Sequence, residues 1–305
     1  MDRLDAMQVF IRVVELRSFT KAAALLGLPR STVTDAVRQL EARLGVKLLA
    51  RTTRHVSPTP DGDAYYLRCL NILAEVEDAE GAFAGGTPKG VLRVDVQGTL
   101  ARHFMLPALG DFLAAYPGIE LQLSESDRRV DALREGIDCV LRVGPVHTSD
   151  LVARPLGVLE EITCASPAYL ARFGTPHSPA DLAGHLMVGF RTEEGTVLPL
   201  AFTQDGRATT VTLPCRVSVN GVESFVEAAL QGFGLLQAPY YSLGPALASG
   251  QLVPVLEAFA PGTPLPVTLL YPQNRRHAGR VRVFIEWLSQ EFEARNRRGA
   301  YRKPS

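Results

Sequence analysis

The chain has 305 residues, 46% of them hydrophobic, and carries 32 basic and 32 acidic side chains, so its formal charge is zero. That length and apolar content suffice for two or three compact units with cores of their own. Neither a leader nor a membrane span is expected: the opening segment is amphipathic and carries Arg12, Glu15 and Arg17, and the charge-free stretch from Ala228 to Leu256 is broken by Gly232, Gly234, Pro239, Gly244, Pro245 and Gly250.

Leu4, Met7, Phe10 and Val14 recur at helical intervals, so a first helix ends near Ser18, whose hydroxyl can cap the next one. The second helix, Thr20 to Leu26, has Ala22, Ala23 and Ala24 at its centre, small enough for another helix to cross closely. Gly27-Leu28-Pro29 supplies a turn. A third helix then runs to about Leu44, with Val33, Val37, Leu40 and Leu44 as its inward stripe and Gly45 as its stop. Its other side carries Arg30, Ser31, Thr34, Asp35 and Arg38, and Arg51-Thr52-Thr53-Arg54 follows as a cationic hairpin. Two short helices, a tight turn and a basic wing make the shape that reads a DNA major groove. Ser31, Thr34, Asp35 and Arg38 are expected to face bases, helped by Arg30, while Ser18, Thr20, Arg51 and Arg54 hold phosphates. Charge agrees: up to Arg54 there are ten basic and five acidic residues, a local net of +5 balanced by −5 in the rest.

Thr59-Pro60-Asp61 is a helix start, and that helix is expected to persist to Gly85-Gly86. Tyr65, Cys69, Ile72, Val76, Ala79 and Phe83 follow a four-three alternation, the seam of a coiled coil. The stripe could pack on its own body, but a helix of roughly 25 residues is about 38 Å long. A partner helix from a second subunit is the better expectation, and it implies a dimer on a partly palindromic site in double-stranded DNA.

Beyond Gly90, strands alternate with helices. Val91–Val96 is a strand, Gln97-Gly98-Thr99 opens a helix containing Phe104, Leu109 and Phe112, and Ile119–Ser124 is the next strand. A helix through Val130 and Leu133 ends at Gly136, and Ile137–Val143 is a third strand. This βαβαβ order predicts a parallel sheet covered on both faces. The theme returns with Val211–Val219 as strand, Asn220-Gly221 as turn, Val222–Gln231 as helix and Leu235–Gln237 as strand. Two such α/β lobes leave a crevice between strand ends for a small ligand. The chain is expected to cross between them near Thr163–Ser166 and near Pro264–Thr268, and its last helix, Val281–Glu293, to return to the first lobe. Gly98 and Thr99 offer backbone donors and a hydroxyl to an anion, Ser126, Asn220 and Gly221 stand at the equivalent switches, and Arg142 is a candidate carboxylate partner.

The N-terminal residues resemble the winged helix-turn-helix of LysR-type transcriptional regulators. The resemblance rests on Phe10, Ser18-Phe19-Thr20, the alanine-rich segment, Val33-Thr34, Leu40-Glu41, Leu44-Gly45, Leu48, Arg51, Arg54, Thr59 and Gly62. Pro29, Asp35, Leu49 and Pro58 depart from the family's usual residues. The body is similar to the family's effector-binding domain, itself like type 2 periplasmic binding proteins, with Ala165-Ser166-Pro167-Ala168-Tyr169-Leu170 as a familiar stretch. The resemblance implies a sequence-specific regulator controlled by a small-molecule effector held in the loops named above, acting as a homodimer or homotetramer, with RNA polymerase as a further partner. It also implies domains at 1–58 (DNA binding), 59–86 (linker and dimerisation helix), 87–90 (hinge) and 91–300 (effector binding). Within the last, lobe I covers about 91–164 and 267–295 and lobe II about 165–266, and a disordered basic tail covers 296–305.

Cys69, Cys139, Cys164 and Cys215 form no CxxC pair and have no histidine at ligand spacing, so neither a metal site, a disulfide framework nor a cofactor is expected. An enzyme is the weaker alternative: GxSxG, P-loop, HExxH and GxGxxG patterns are absent and the six histidines are scattered. A nonspecific architectural DNA binder is the other alternative, and it would leave the two-lobed body without a role. The expected location is the cytoplasm, with no membrane association.

Overall fold

The computed structural model describes residues 1–51, 56–84, 87–128, 130–146, 150–261, 265–273, 275 and 278–297, without the side chains of residues 51 and 77–84. Helix α1 (Arg3–Leu16) opens on a capping box, in which Asp2 accepts from the Asp5 amide and Asp5 from the Asp2 amide. Helix α2 (Phe19–Leu26) is capped by Ser18, whose Oγ accepts from the Lys21 amide at 3.2 Å, and it stops at Gly27, whose φ of +64° suits glycine. Helix α3 (Arg30–Leu44) starts after Pro29 without a side-chain cap. Met7, Phe10 and Val13 of α1, Ala22 and Ala23 of α2, and Val33, Val37 and Leu40 of α3 form one buried cluster. Burying a ring such as Phe10 contributes about 1.5–3 kcal/mol.

Leu44 leaves the expected inward stripe: it is 40% exposed, and the buried residue of that turn is Glu41. The reason lies in the wing. Glu41 Oε1 accepts from the amides of Leu48 (3.1 Å) and Leu49 (3.2 Å), and Lys47 Nζ donates to Oε2 at 3.0 Å. Burial opposes ionisation of this carboxyl, but the Lys47 ammonium and the two amides outweigh it and hold the pKa below the usual carboxylate value. Strands β1 (Leu49–Arg51) and β2 (Val56–Pro58) pair antiparallel beyond this anchor. Thr59 Oγ1 accepts from the Gly62 amide at 3.0 Å and starts α4 (Pro60–Ala84). A Cβ on Gly62 would stand 1.9 Å from the Leu48 carbonyl oxygen, so a larger residue there would push the linker helix off the wing.

Strands β3 (Gly90–Val96), β4 (Ile119–Glu125) and β5 (Cys139–Val143) run parallel in the order β4-β3-β5, with α5 (Leu106–Ala115) and α6 (Ala132–Glu135) between them. The helix expected from Thr99 begins two residues later as a π-helical segment, Ala101–Met105, which leads into α5. Strand β6 (Leu151–Leu159) ends the first passage through this lobe. The chain has crossed by β7 (Glu161–Ala165), earlier than Thr163–Ser166, because β7 already pairs within the second lobe.

The second lobe contains α7 (Pro167–Phe173), β8 (Gly189–Phe190), a hairpin of β9 (Leu200–Gln204) and β10 (Arg207–Val211), β11 (Ser218–Val219), α8 (Val222–Leu230), β12 (Leu236–Pro239), α9 (Tyr240–Ala248) and β13 (Val253–Pro254). The strand expected over Val211–Val219 is two pieces. Pro214 interrupts it, having no amide to donate, so Val211 closes the hairpin while Ser218 and Val219 pair parallel with β8. Strand β14 (Leu265–Pro272) returns to the first lobe and lies antiparallel between β5 and β6, so the sheet is mixed and not parallel throughout. A chain returning from the other lobe enters from the opposite end, which fixes that direction. The two lobes share one plan. In the first, β4, β3 and β5 are parallel and β14 and β6 complete the antiparallel side. In the second, β11 and β8 are parallel, a parallel bridge from Met187 to Leu235 carries the order to β12, and β7 and β13 follow antiparallel. Helix α10 (Gly279–Arg297) returns to the first lobe and buries Val281, Phe284, Leu288 and Phe292 against its sheet.

Candidate functional site

Two surfaces are the candidates for functional chemistry. On α3, Arg30, Ser31, Asp35 and Arg38 are exposed on the side away from the core, and Thr34 is half-buried with its Oγ1 donating to the Arg30 carbonyl at 2.9 Å. One face of the helix is therefore spent on the core and the other presents donors and acceptors. Arg38 lies 3.7 Å from Asp35, and both side chains are solvated. Ser18 is half-buried at its cap and Thr20 is exposed in the first turn of α2. Of the remaining DNA-facing expectations, Arg54 and the side chain of Arg51 lie outside the described residues.

The seam expected along α4 divides. Cys69 is fully buried in the cluster of its own chain, and the Tyr65 ring stands 5.6 Å from Phe10. These two residues are therefore core, because the helix returns across α1 before it leaves the N-terminal module. Burial pushes the Cys69 thiol up to about 11. Ile72 is exposed and Val76 half-buried, while the side chains of Ala79 and Phe83 lie outside the described residues. Asn71 faces the first lobe: it donates to the Leu133 carbonyl at 3.2 Å and accepts from Arg275 at 2.5 Å. Arg275 also donates to buried Asp138 at 2.8 Å, and Asp138 accepts from the Arg93 amide at 2.9 Å. A polar clamp thus ties the linker helix to the start of β5.

The second surface is a cleft of about 370 Å³ between the lobes, within the usual size of a small-molecule site. Gln97, Gly98 and Asp127 contribute from the first lobe, Glu161 stands at the crossover, and Gln237 and Tyr241 come from the second. The rest of the described wall is apolar, including Val143, Met187, Phe190, Leu198, Val222 and Phe225. Gly98 has φ +54°, and a Cβ there would meet Val222 Cγ2 at 3.3 Å, so glycine lets the lobes approach. Beside the cleft, Thr99 Oγ1 lies 3.4 Å from the Tyr241 hydroxyl, and Arg102 pairs with Glu223 across the lobes at 2.7 Å.

Of the residues expected to hold an effector, Gly98 lines this cleft and the others are placed beside it. Thr99 borders a shallower groove with Arg102 and His103. Ser126 donates to both oxygens of buried Asp95 at 3.1 Å. Arg142 donates to Asp95 at 2.6 Å and to the Arg128 carbonyl at 3.0 Å, and it lines an adjoining groove that shares Gln97 and Asp127. Asn220 and Gly221 precede Val222, the residue of that turn that reaches the cleft. Asp127 and Gln97, one position from Ser126 and Gly98, are the polar groups that the loops do present. Burial raises the Asp127 pKa, against the opposing pull of Arg142, the Gly98 amide and Gln97. Glu161 was visible in the sequence as the second of two adjacent carboxylates, Glu160-Glu161, that open the run Ile162-Thr163-Cys164-Ala165. No group of His, Cys, Asp and Glu among the described residues is arranged to hold a metal ion, and no described helix is long and apolar enough to cross a membrane.

Comparison with known proteins joins the two surfaces. Residues 4–63 match the family described as bacterial regulatory helix-turn-helix protein, lysR family, and residues 85–293 match the LysR substrate binding domain. The chain is 41% identical over 293 residues, 95% of its own length and 97% of the relative's, to the uncharacterized HTH-type transcriptional regulator YhjC of Escherichia coli (strain K12). Among solved structures it is similar to CrgA, a LysR-type transcriptional regulator from Neisseria meningitidis, at 33% identity and a TM-score of 0.61, covering 94% of this chain and 98% of that one. The Vibrio cholerae virulence activator AphB is similar at 26% identity and a TM-score of 0.58, with the same coverage of 94% and 98%.

Proposed function

The chain belongs to the LysR family of bacterial transcriptional regulators, and from that premise we propose how its parts divide the work. Ser31, Thr34, Asp35 and Arg38 read base edges in the major groove, with Arg30 at the helix start. Ser18, Thr20, Arg51 and Arg54 position the module on phosphates. The observation that carries this reading is the two-sidedness of α3: Val33, Val37 and Leu40 are buried while Arg30, Ser31, Asp35 and Arg38 are exposed.

Dimerisation proceeds through the part of α4 not used by the chain's own core, beginning at Ile72 and Val76 and continuing in sequence to Ala79 and Phe83. Two copies then present two α3 helices to a partly palindromic duplex site, a tetramer joins two such pairs, and RNA polymerase is the protein the complex meets at a promoter. The protein works in the cytoplasm and performs no catalysis. A small molecule between the lobes changes the subunit arrangement and hence the spacing of the DNA-reading helices, which requires that it bind one arrangement more tightly than the other. Gly98 is the expected contact that lines the cleft, and Gln97, Asp127, Glu161 and Gln237 join it. Thr99, Ser126, Arg142, Asn220 and Gly221 act behind it, supporting its walls.

Selection of the pure protein against a random duplex pool tests the reading. Enrichment of one sequence with dyad symmetry is expected. Failure to enrich any sequence, with and without a cell metabolite extract, overturns it.

A further inference from the structure

The polar groups of the inter-lobe cleft have unequal commitments. Gln237 spends its amide on its neighbours: Nε2 donates to Thr163 Oγ1 and to the Ala201 carbonyl, both at 2.8 Å, and Oε1 accepts from the Ala201 amide at 2.8 Å. Gln97 Oε1 accepts from the Val143 amide at 2.8 Å, and its side chain also bonds Asp127. Asp127 accepts from the Gly98 amide and feels Arg142. Glu161 is different, because no hydrogen bond or ion pair to its carboxylate is found among the described residues. Burial alone pushes its pKa up to about 7. Glu161 is half-buried, and a carboxylate partly withdrawn from water without a partner is costly.

The described wall of the cleft contains no lysine, arginine or histidine. The cation nearest in kind, Arg142, is held on Asp95 and faces the adjoining groove. Aromatic rings of Phe190, Phe225 and Tyr241 line the same space, and ring faces attract cations as well as apolar bodies. The described wall therefore offers two carboxylates, aromatic rings and no positive charge.

We propose that the effector of this cleft is a small amine, a protonated nitrogen on an apolar body, whose ammonium group is received by Glu161 with Asp127 as the second carboxylate of the same cavity. This rests on the reading of the cleft as the effector site and names the chemical class that the site takes. It also reverses the expectation drawn from Arg142 in the sequence, which pointed to a carboxylate ligand.

Three probes sharing a phenylethyl body test it on the full chain by isothermal titration: 2-phenylethylamine, 2-phenylethanol and 3-phenylpropanoate. The amine is expected to bind at least about tenfold more tightly than the alcohol, the scale of one charge-assisted contact, and the carboxylate more weakly than either. Glu161→Gln should bring the amine to the affinity of the alcohol while the alcohol is unchanged. Leu198→Trp, which fills the mouth of the cleft from an exposed position, should weaken both. Tighter binding of the alcohol or the carboxylate, binding by none of the three, or an amine preference that survives Glu161→Gln overturns the amine assignment. Probe binding that is indifferent to Leu198→Trp overturns the cleft as the ligand site, a separate failure.

Discussion

Arg38→Ala tests the DNA-reading face with the least disturbance to the fold. The side chain is 69% exposed, and its partner in the free protein is Asp35 at 3.7 Å, itself 60% exposed. A solvated pair of this kind is worth about 0–1 kcal/mol. Thermal stability of the variant should therefore stay within about 0.5 kcal/mol of the parent. On DNA the same guanidinium can donate two hydrogen bonds to a guanine edge, and losing such a contact costs about 1–3 kcal/mol, or roughly a five- to 150-fold rise in Kd.

Fluorescence anisotropy with the selected duplex and a base-scrambled counterpart, at about 50 and 200 mM salt, separates the two roles open to an arginine. As a base reader, Arg38 should account for a loss confined to the selected duplex with the salt slope unchanged. As a phosphate holder it would weaken both duplexes and reduce the slope by about 1. Asp35→Asn is the companion: it frees Arg38 and removes a charge that repels phosphate, so affinity for the scrambled duplex should rise more than for the selected one. Equal affinity of parent and Arg38→Ala for the selected duplex would refute the argument and remove α3 from the interface.

Asn71→Ala removes the acceptor of Arg275 on α4 but leaves the Arg275–Asp138 pair intact. DNA affinity and cleft binding should each stay close to the parent's while the coupling between them, ordinarily about 1–3 kcal/mol, falls towards zero; unchanged coupling in a paired titration would exclude this route. Glu161 gives the stability of the empty protein a pH signature. Its folded pKa lies near 7, raised from 4.5 by burial, so the folded state binds the proton more tightly than the unfolded one. The contribution is complete below about pH 4.5 and is lost as pH rises through 7. Relative to Glu161→Gln, the parent should lose on the order of 2 kcal/mol between those limits, after discounting for water in the open cleft; a difference flat with pH contradicts the burial argument. Iodoacetamide followed by peptide mass mapping should label Cys215, the exposed thiol, before Cys69, Cys139 and Cys164, whose thiols burial has pushed up. Labelling of Cys139 at the rate of Cys215 would show that the first lobe opens far more readily than its packing implies.

The helix-turn-helix was legible because its signals are local: Ser18 caps, Gly27 and Gly45 stop, and Val33, Val37 and Leu40 repeat at helical spacing. Leu44 was misread because periodicity cannot register that the wing needs a carboxylate inside the turn, so Glu41 displaces it from the buried stripe. The α4 seam failed in part for a related reason. A four-three repeat says that a face is apolar without saying against what, and Tyr65 and Cys69 find α1 before any second chain. The direction of β14 was hidden because sense in a sheet depends on the route of a chain that has crossed to another lobe and returned. In the cleft, the expected loops contribute to the wall, but mostly through residues other than those singled out. Ser126 and Arg142 satisfy Asp95, a buried hub that sequence spacing does not reveal, and Gln97 and Asp127 face the cleft in their place.

That hub and the linker clamp lie at opposite ends of one short strand, and this arrangement explains how a cleft ligand could reach the DNA-reading helices. Strand β5 begins beside Asp138, which holds Arg275 and through it Asn71 of α4. It ends at Arg142 and Val143, where Arg142 is fixed to Asp95 and the Val143 amide donates to Gln97 in the cleft wall. A ligand that draws on Gln97 therefore pulls on β5 directly, and one that draws on Asp127 does so through Gln97. Cys139 and Leu141 of β5 are fully buried in a close-packed sheet, and such interiors transmit small displacements because they have little void to absorb them. The remaining freedom is at the clamp, where polar contacts to α4 can exchange for water at a cost of about a kcal/mol each. The free energy available for regulation is then the ligand's preference between the clamped and released arrangements and no more, so an effector that fills the cleft without touching the Gln97 and Asp127 side would bind without altering the grip on DNA.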